Sequence, residues 1–525
     1  MTLKPLGDAA WLVEFPTGTP LARVLGMVAA LEQNRPPGVL DVVSSFASLA
    51  VHFEAMDALE IRDWLETAMH QKHQEYPTGR EIEIPVRYDG MDLEEVAAQV
   101  GMSVEEVIAL HSGAQYTVVA VGFSPGFPYL SGLPPRLGLP RRKTPRLSVP
   151  AGSVAIGGGQ AGIYPFTSPG GWHVLGRTGI PLFDPAQSRP ALLRPGDRVK
   201  FRAVDRLEIA HRNHLPAPHA GRIEVVHPGS LTTIQDLGRR GYEACGVSPG
   251  GAVDRRALRT ANLAVGNDEG AAALEICLSG PLLKFHADAV VAFIDGCGSP
   301  RRVKAGETVD FSKPTHGARA YLAIAGGFQA DRVLGSAATD LRAGFGGHAG
   351  RALQAGDWLD FGPATTIPTP GDWHVGRDGR DARIELRFLP GVQQDEFTEQ
   401  AHHRLRTGTY QLTPNSDRMG ARLSGPRLDL QSPREMLSQP VACGSVQVPP
   451  DGQPIILLAE RQTIGGYPQI GHVISVDLPQ LARAWPGTRI KFREVTWQEA
   501  QQLQKRERRD FAWLRTGLEL LKSKP

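Results

Sequence analysis

A six-residue pattern, Gly-x-x-apolar-x-Phe, recurs four times in this chain, at Gly196 to Phe201, Gly306 to Phe311, Gly356 to Phe361 and Gly487 to Phe492. In each copy the glycine permits a tight turn and the following residues alternate, as Val199 and Phe201 do against Arg198 and Lys200. A turn of this kind feeds the last strand of a small barrel or sandwich. From Tyr116 to about residue 495, short apolar runs are broken by many of the 59 glycines and 42 prolines, and helical period is almost absent. The copies are unequally spaced, which predicts several related β modules instead of a solenoid. A second echo sets Gly152-Ser-Val-Ala-Ile156, Gln160 and Tyr164-Pro165 against Gly444-Ser-Val-Gln-Val448, Gln462 and Tyr467-Pro468. A third, shorter one sets Gly122-Phe-Ser-Pro-Gly126 against Gly246-Val-Ser-Pro-Gly250.

The remaining secondary structure is local. Leu21, Val24, Leu25, Val28 and Leu31 share a helical face, as do Ile61, Trp64, Leu65, Ala68 and Met69. With the extended runs Val39 to Val43 and Leu49 to Phe53 they predict a small α+β layer over 1–85. A strand at Ile82 to Val86 and helices at Leu93 to Val100 and Val104 to His111 follow, with Ser103 and Glu106 as a capping box. The expected order is then a barrel over 86–210, a linker at 211–222, a β module over 223–370, a linker at 371–383 and a second barrel over 384–496. A single helix interrupts the β pattern at Arg255 to Val265. A terminal helix over 497–525 carries the narrow stripe Phe511, Leu514, Leu518 and Leu521.

Composition removes several classes of function. The 525 residues carry 57 basic and 55 acidic side chains, a net charge of +2, too balanced for a chain whose main partner is nucleic acid. No apolar run approaches the roughly 18 residues of a membrane helix. Lys4, Asp8 and Glu14 interrupt the amino terminus where a signal peptide needs an apolar core, so a cytoplasmic protein is expected. Cys245, Cys277, Cys297 and Cys443 form no C-x-x-C pair and read as reduced, structural residues.

Three motifs resemble catalytic signatures and fail on mechanism. Both Gly-x-Ser-Pro-Gly segments match a nucleophile elbow, but the residue after the serine must donate its N–H to an oxyanion, and Pro125 and Pro249 have none. Gly157, Gly159 and Gly162 match a dinucleotide fingerprint without the helix that has to follow, which leaves a glycine-rich hairpin whose amides suit an anion. His211, His214 and His219 lie in a Pro/Ala-rich linker and read as solvated.

The run Gly122-Phe-Ser-Pro-Gly-Phe-Pro-Tyr-Leu130, Pro140-Arg-Arg-Lys-Thr-Pro145, Val149-Pro-Ala-Gly-Ser-Val154 and Ser168-Pro-Gly-Gly-Trp-His173 with Gly176-Arg-Thr178 resembles the allophanate hydrolase subunit 1 family, whose bacterial members include the 5-oxoprolinase B subunit. Pro228-Gly-Ser-Leu-Thr-Thr-Ile-Gln-Asp-Leu-Gly-Arg239, Ser416-Asp-Arg-Met-Gly420, Gly444-Ser-Val-Gln-Val-Pro449 and Arg461-Gln-Thr-Ile-Gly-Gly-Tyr-Pro468 resemble the subunit 2 family, which includes the 5-oxoprolinase C subunit. Together the resemblances span about residues 5 to 500, as in a fusion of B and C. They imply a mainly β chain with an α+β amino-terminal part and several cyclophilin-like β-barrel modules. They also imply ATP-dependent opening of 5-oxo-L-proline to L-glutamate with a separate A subunit. Other members belong to the carboxyltransferase part of biotin-dependent urea carboxylase or regulate a sensor histidine kinase; no Met-Lys-Met biotin site occurs in this chain. Two segments depart from the subunit 2 pattern, Asp295-Gly-Cys-Gly298 and Ser336-Ala-Ala-Thr339.

Phosphoryl transfer calls for cations on the phosphates and carboxylates on Mg²⁺. On that ground Lys143 and Arg177 are candidate phosphate ligands, with His173 as a proton donor or acceptor beside the turn of Ser168, Gly170 and Gly171. Asp236 and Asp417 are candidate metal ligands, Arg418 and Arg461 neutralise developing charge, and Gln462 and Tyr467 hydrogen-bond a small carboxylate or lactam. The structural alternatives are a surface pair for Asp417 with Arg418, a barrel plug for Tyr467 and a satisfied core histidine for His173. The small substrate and the 5-oxoprolinase A subunit are the expected partners, and a homo-oligomer is compatible with the sequence.

Overall fold

The computed structural model describes residues 1–54, 58–74, 76, 79–208, 222–313, 317–364, 373–376, 383–432 and 436–522. The linker expected at 211–222 lies, but for Arg222, outside these residues, as do His211, His214 and His219. Of the linker expected at 371–383, residues 373–376 and 383 are described, and Val375–Gly376 is a short strand paired with Cys297–Gly298. Among the described residues, no helix is long and apolar enough to cross a membrane.

The Gly-x-x-apolar-x-Phe pattern gives the same local structure four times. Gly196, Gly306, Gly356 and Gly487 all have φ between +87 and +93°. In each copy the residue after the glycine donates its N–H to the carbonyl three positions back, as Thr488 does to Trp485 at 3.0 Å. A positive φ at the third position of such a turn is the type II signature, and it selects glycine. The apolar and Phe positions then fall inward: Val199 with Phe201 and Ile490 with Phe492 are all at most 3% exposed.

Two of the four copies end barrels of identical strand order. In the first half the order is His173–Arg177, Ser153–Gly157, Gln160–Ile163, Pro128–Ser131, Gln115–Val121, Arg198–Ala203 and Glu81–Val86. In the second it is Gln469–Val473, Ser445–Gln447, Ile455–Leu457, Gly420–Ser424, Tyr410–Leu412, Arg489–Glu494 and Arg383–Pro390, and this sheet is a closed barrel. In both, the strand after the type II turn pairs in parallel with the module's first strand, Arg198 with Glu81 and Arg489 with Arg383. The first barrel meets at its seam through paired backbone bonds between Arg87 and Arg177, 2.9 Å each way. The strand Glu81–Val86 therefore belongs to the barrel, so the boundary read at residue 85 moves to about 80. The second echo needs a matching correction. Gln160–Ile163 corresponds by pairing to Ile455–Leu457, so Gln462 and Tyr467 are not the counterparts of Gln160 and Tyr164.

The middle module is built differently. A four-stranded sheet, which carries the copies at Gly306 and Gly356, faces a five-stranded one over a core that includes Ile234, Leu274, Phe285, Val291 and Leu322. The helix Arg255–Ala264 covers its flank, capped by Asp254 accepting from the Ala257 N–H at 2.9 Å.

The amino-terminal layer is an antiparallel sheet in the order Thr2–Pro5, Ala10–Glu14, Ser48–Phe53 and Val39–Ser45. Alternation splits its faces. Trp11, Val13, Leu49 and Val51 pack on the helices Leu21–Gln33 and Ala58–His70, while Ala10, Leu12 and Ala50 meet Val392 and Ala442 of the second half. The same parity carries Asp41 and its cross-strand partner His52 to the second-half face. There the Asp41 carboxylate accepts the N–H of Glu243 at 2.5 Å, His52 Nε2 lies 3.7 Å from the Glu243 carboxylate, and Arg461 donates to Glu243 at 2.6 Å. The terminal helix Trp497–Lys522 reaches both halves. Gln501 and Gln504 donate to the Asp8 carbonyl and Trp497 lies 5.6 Å from Trp11, while Phe511 and Leu518 are buried against the middle module.

Glycine positions and buried titrating groups both have measurable consequences. A Cβ at Gly356 meets no atom within 4 Å, whereas one at Gly444, with a similar φ of +90°, collides with the Val473 carbonyl oxygen. Gly356→Ala is expected to cost only the backbone strain, about 1–2 kcal/mol, and Gly444→Ala clearly more; equal shifts of the urea midpoint would contradict the collision. Stability should also depend on pH through the Asp41 and His52 pair. Burial, with Glu243 beside it, pushes the Asp41 carboxyl up to about 6, and burial, with Arg461 nearby, holds His52 down to about 3. Folded Asp41 keeps a proton that the unfolded chain has lost, so its contribution falls as pH rises from about 4 to 6. Folded His52 refuses a proton that the unfolded chain takes up, so its contribution falls as pH drops from about 6.5 to 3. Relative to the parent chain, Asp41→Asn is expected to gain stability with rising pH between 4 and 6 and His52→Gln to lose it, by at most about 1.4 kcal/mol per pH unit. Parallel stability profiles for the three proteins would refute this assignment.

Candidate functional site

The two Gly-x-Ser-Pro-Gly turns, far apart in sequence, pack backbone against backbone. The Gly126 N–H donates to the Cys245 carbonyl at 2.9 Å, and a Cβ at Gly246 would press on the Ser124 carbonyl oxygen. Gly122 gives the second half the same close approach, since a Cβ there would stand 2.7 Å from the Ile464 side chain. A strand, Pro128–Ser131, follows the first turn where an elbow requires a helix.

A crevice opens between the halves at this contact. It is lined from the first half by Phe123, Ser124 and Ser168, and from the second by Ser248, Arg342 and Glu460. Its cavity volume is about 10 Å³, room for no more than one water, so any larger ligand has to part its walls. Ser124 Oγ and Ser168 Oγ are buried and have no hydrogen-bond partner among the described residues, whereas Ser248 Oγ donates to the Arg461 carbonyl at 2.5 Å. Phe123 has φ +65°, a left-handed conformation that costs a non-glycine residue about 1 kcal/mol or more. Its ring lies 5.5 Å beneath the Arg342 guanidinium.

Charge is concentrated behind the second-half wall. Arg418, 4% exposed, donates to Glu460 at 2.6 Å, to the Gly251 carbonyl at 2.7 Å and to Glu275. Burial alone would depress the Arg418 guanidinium, but Glu275 and Glu460 carry it upward. Burial lifts the Glu460 carboxyl above the usual range, with Arg418 only partly offsetting it. Burial likewise lowers Arg342, against the fields of Asp340, Asp417 and Glu460.

The sequence-derived candidates divide across this frame. Ser168 lines the crevice, and Arg418 acts on it through Glu460. Arg461 lies behind it, on Glu243. Asp236 is buried and occupied: its carboxylate accepts from the Ser336 hydroxyl at 2.6 Å and from the N–H groups of Gly238 and Ala337, both at 2.7 Å. The Ser336-Ala-Ala-Thr339 departure is therefore the segment that Asp236 holds in place. Asp417 sits on an exposed turn and accepts from the Met419 and Gly420 N–H groups. Among the described residues no three His, Cys, Asp or Glu side chains converge as a metal site requires. The pair Asp236 and Asp417, both engaged in shaping loops, does not fit a Mg²⁺ ion held by the protein.

The other first-half candidates lie off the crevice wall. His173, expected as a proton donor or acceptor beside the turn of Ser168, Gly170 and Gly171, is buried with Nε2 3.0 Å from the Pro140 carbonyl and Nδ1 without a partner among the described residues. Arg177 is exposed and paired with Asp89 at 2.8 Å, and its backbone closes the barrel seam. Lys143 is exposed on the loop before Arg146–Val149. Gly170 lies against the Tyr164 hydroxyl, and the Gly171 carbonyl accepts the Arg142 N–H at 2.8 Å. On the second half, Tyr467 is 40% exposed and Gln462 lies beside Gly465. The Gly157/Gly159/Gly162 run is a hairpin turning at Gly158 and Gly159, and Gly157 and Gly162 make room for Trp172.

Sequence reasoning passed over Arg342, Glu460, Ser124 and Ser248. The signal for the serines was the Gly-x-Ser-Pro-Gly echo, weighed as a nucleophile elbow and set aside, but not recognised as two walls of one crevice. For Arg342 it was the glycine-rich run after it, where Gly344, Gly346, Gly347 and Gly350 all have positive φ.

Residues 1–193 match the sequence family described as carboxyltransferase domain, subdomain C and D, and residues 245–494 that described as carboxyltransferase domain, subdomain A and B. The 5-oxoprolinase C subunit of Haemophilus influenzae is 39% identical over 296 residues, 54% of this chain and 94% of that protein. The 5-oxoprolinase B subunit of Escherichia coli O157:H7 is 47% identical over 174 residues, 31% of this chain and 78% of that protein. The solved structure of TTHA0988 matches with a TM-score of 0.82 at 35% identity, covering 94% of this chain and 100% of that one. The chain thus belongs to the family of the B and C subunits of 5-oxoprolinase, the two carried on one polypeptide as paired carboxyltransferase domains.

Proposed function

We propose that this chain is the fused B and C component of an ATP-dependent 5-oxoprolinase, which opens 5-oxo-L-proline to L-glutamate together with a separate A subunit. The observation that carries the reading is the crevice that both halves line, with two unpartnered serine hydroxyls from one half and Arg342 and Glu460 from the other. A cyclic amide needs such a set: donors for its carbonyl oxygen and a cation for its carboxylate. The lactam is an unactivated amide, so water attacks it only slowly. Phosphorylation of its carbonyl oxygen by ATP supplies a leaving group, and water then adds at that carbon. ATP is a substrate here. Of the two first-half phosphate candidates, Lys143 is exposed and without a partner among the described residues, whereas Arg177 would first have to leave Asp89.

The chain's own residues do the binding and orienting. Ser124 and Ser168 face the ligand, while Arg418 fixes the position of Glu460. The carboxyltransferase description of the family favours a second reading, transfer of a carboxyl group from a biotinylated carrier on another chain. The two separate in one assay. The chain mixed with the A subunit, ATP and 5-oxoproline is expected to release ADP and glutamate in equal amounts; no oxoproline-dependent ADP, with carboxyl transfer from a biotinylated carrier instead, would overturn the proposal. In the same assay Ser124→Ala and Ser168→Ala are each expected to lower kcat/KM for 5-oxoproline about tenfold, the worth of one hydrogen bond of about 1.4 kcal/mol. Unchanged kinetics in both variants would remove the crevice from the reaction.

A further inference from the structure

The cations around the crevice differ in what holds them. Arg418 has two carboxylates and a carbonyl, Arg461 has Glu243, and Arg239 is turned onto the carbonyls of Ala338 and Val333. Arg342 has none of these. Its one side-chain hydrogen bond among the described residues is to Met419 Sδ, at 3.3 Å, and thioether sulfur is a weak acceptor. Asp340, Asp417 and Glu460 are close enough to be felt, but none forms an ion pair with it. Asp340 instead caps its own loop, accepting from the N–H groups of Arg342 and Ala343. The guanidinium is thus largely withdrawn from water, with most of its five donors unused, at the wall of a crevice that holds two further unpartnered hydroxyls. A planar, desolvated donor set of this kind matches a carboxylate, which accepts two parallel N–H bonds from it.

We infer that Arg342 is the residue that recognises the carboxylate of the substrate, so that the crevice selects carboxylated cyclic amides over the same ring without the acid group. This rests on the reading of the crevice as the lactam site and names the substrate class it accepts. Phe123 beneath the guanidinium holds its plane without competing for its N–H groups. Met419 occupies the donor side as a soft contact that a carboxylate oxygen displaces. The serine hydroxyls of the opposite wall remain for the ring amide.

The test compares binding of 5-oxoproline and of 2-pyrrolidinone, the identical lactam lacking the carboxylate, to the full chain by calorimetry. The parent chain is expected to prefer 5-oxoproline. Arg342→Gln is expected to reduce that preference at least about tenfold, with 2-pyrrolidinone binding unchanged, and Arg342→Lys to retain part of it. Equal losses for both ligands, an unchanged preference in Arg342→Gln, or no preference in the parent chain would each overturn the assignment. So would loss of ATP or inorganic phosphate binding in place of oxoproline binding. Glutamate formation in the presence of the A subunit reports on the reaction separately. A carboxylate preference that depends on Arg342, with no glutamate formed, would leave this inference standing and sink the proposed reaction. Glutamate formed by Arg342→Gln with an unchanged KM for 5-oxoproline would do the opposite.

Discussion

Glu460 and Arg461 are adjacent, almost fully buried and opposite in charge, yet they do not pair with each other. Glu460 reaches Arg418, itself bound to Glu275 in the middle module, whereas Arg461 reaches Glu243, beside Asp41 and His52 of the amino-terminal layer. An uncompensated buried charge costs about 3–5 kcal/mol, so neither side chain can leave its partner cheaply. One dipeptide of the second barrel is thereby tied twice to the middle module, through Glu275 and Glu243, and by way of Glu243 to the amino-terminal layer. Its position sets where the loop after it runs, and hence where Ile464 meets Gly122 and where Glu460 faces the crevice. The arrangement contributes little net stability for its size, because desolvation offsets most of the attraction. What it provides is a single allowed placement.

The two barrels show how a repeated solution can serve unequal purposes. Both use a type II turn, an inward Val or Ile and Phe, and a parallel pairing of first and last strands. One closes by a continuous ladder and the other by a two-bond bridge at Arg87 and Arg177. Yet the crevice is not formed by equivalent parts of the two. Its first-half wall comes from the turn after the strand Gln115–Val121 and from the strand Ser168–Gly170. Its second-half wall comes partly from the middle module, whose glycine-rich loop carries Arg342, and partly from the barrel loop at Glu460.

Local signals in the sequence were legible where the physics is local. The Ser103 and Glu106 capping box is present with both of its bonds, the helices Leu21–Gln33 and Leu93–Val100 lie where their apolar period put them, and each glycine of the six-residue pattern has the positive φ its turn demands. What escaped was set by partners distant in sequence. Glu81–Val86 reads as the end of the first layer until its pairing with Arg198–Ala203 is seen. The short strands Thr2–Pro5 and Ala10–Glu14, where Lys4 and Glu14 pair across the ladder at 2.8 Å, were not read from the sequence, because their charged residues break the apolar alternation. For the site, residue type suggested Asp236, Asp417 and His173, but type does not reveal that backbone groups already occupy them. The reverse holds for Arg342, an ordinary surface residue by sequence, which only the approach of Phe123 from the other half places at a crevice wall.

Because one polypeptide supplies both walls, their meeting is unimolecular. A tether of this kind replaces a dissociation constant with a local concentration on the order of millimolar, so the crevice stays assembled at dilutions where two freely diffusing proteins of modest affinity would separate. It also holds the two walls at one copy each, whatever the level of expression. Selection on the contact surface is correspondingly relaxed: its close, glycine-dependent backbone approaches can serve orientation of the reacting groups, since adhesion is already supplied by covalent continuity.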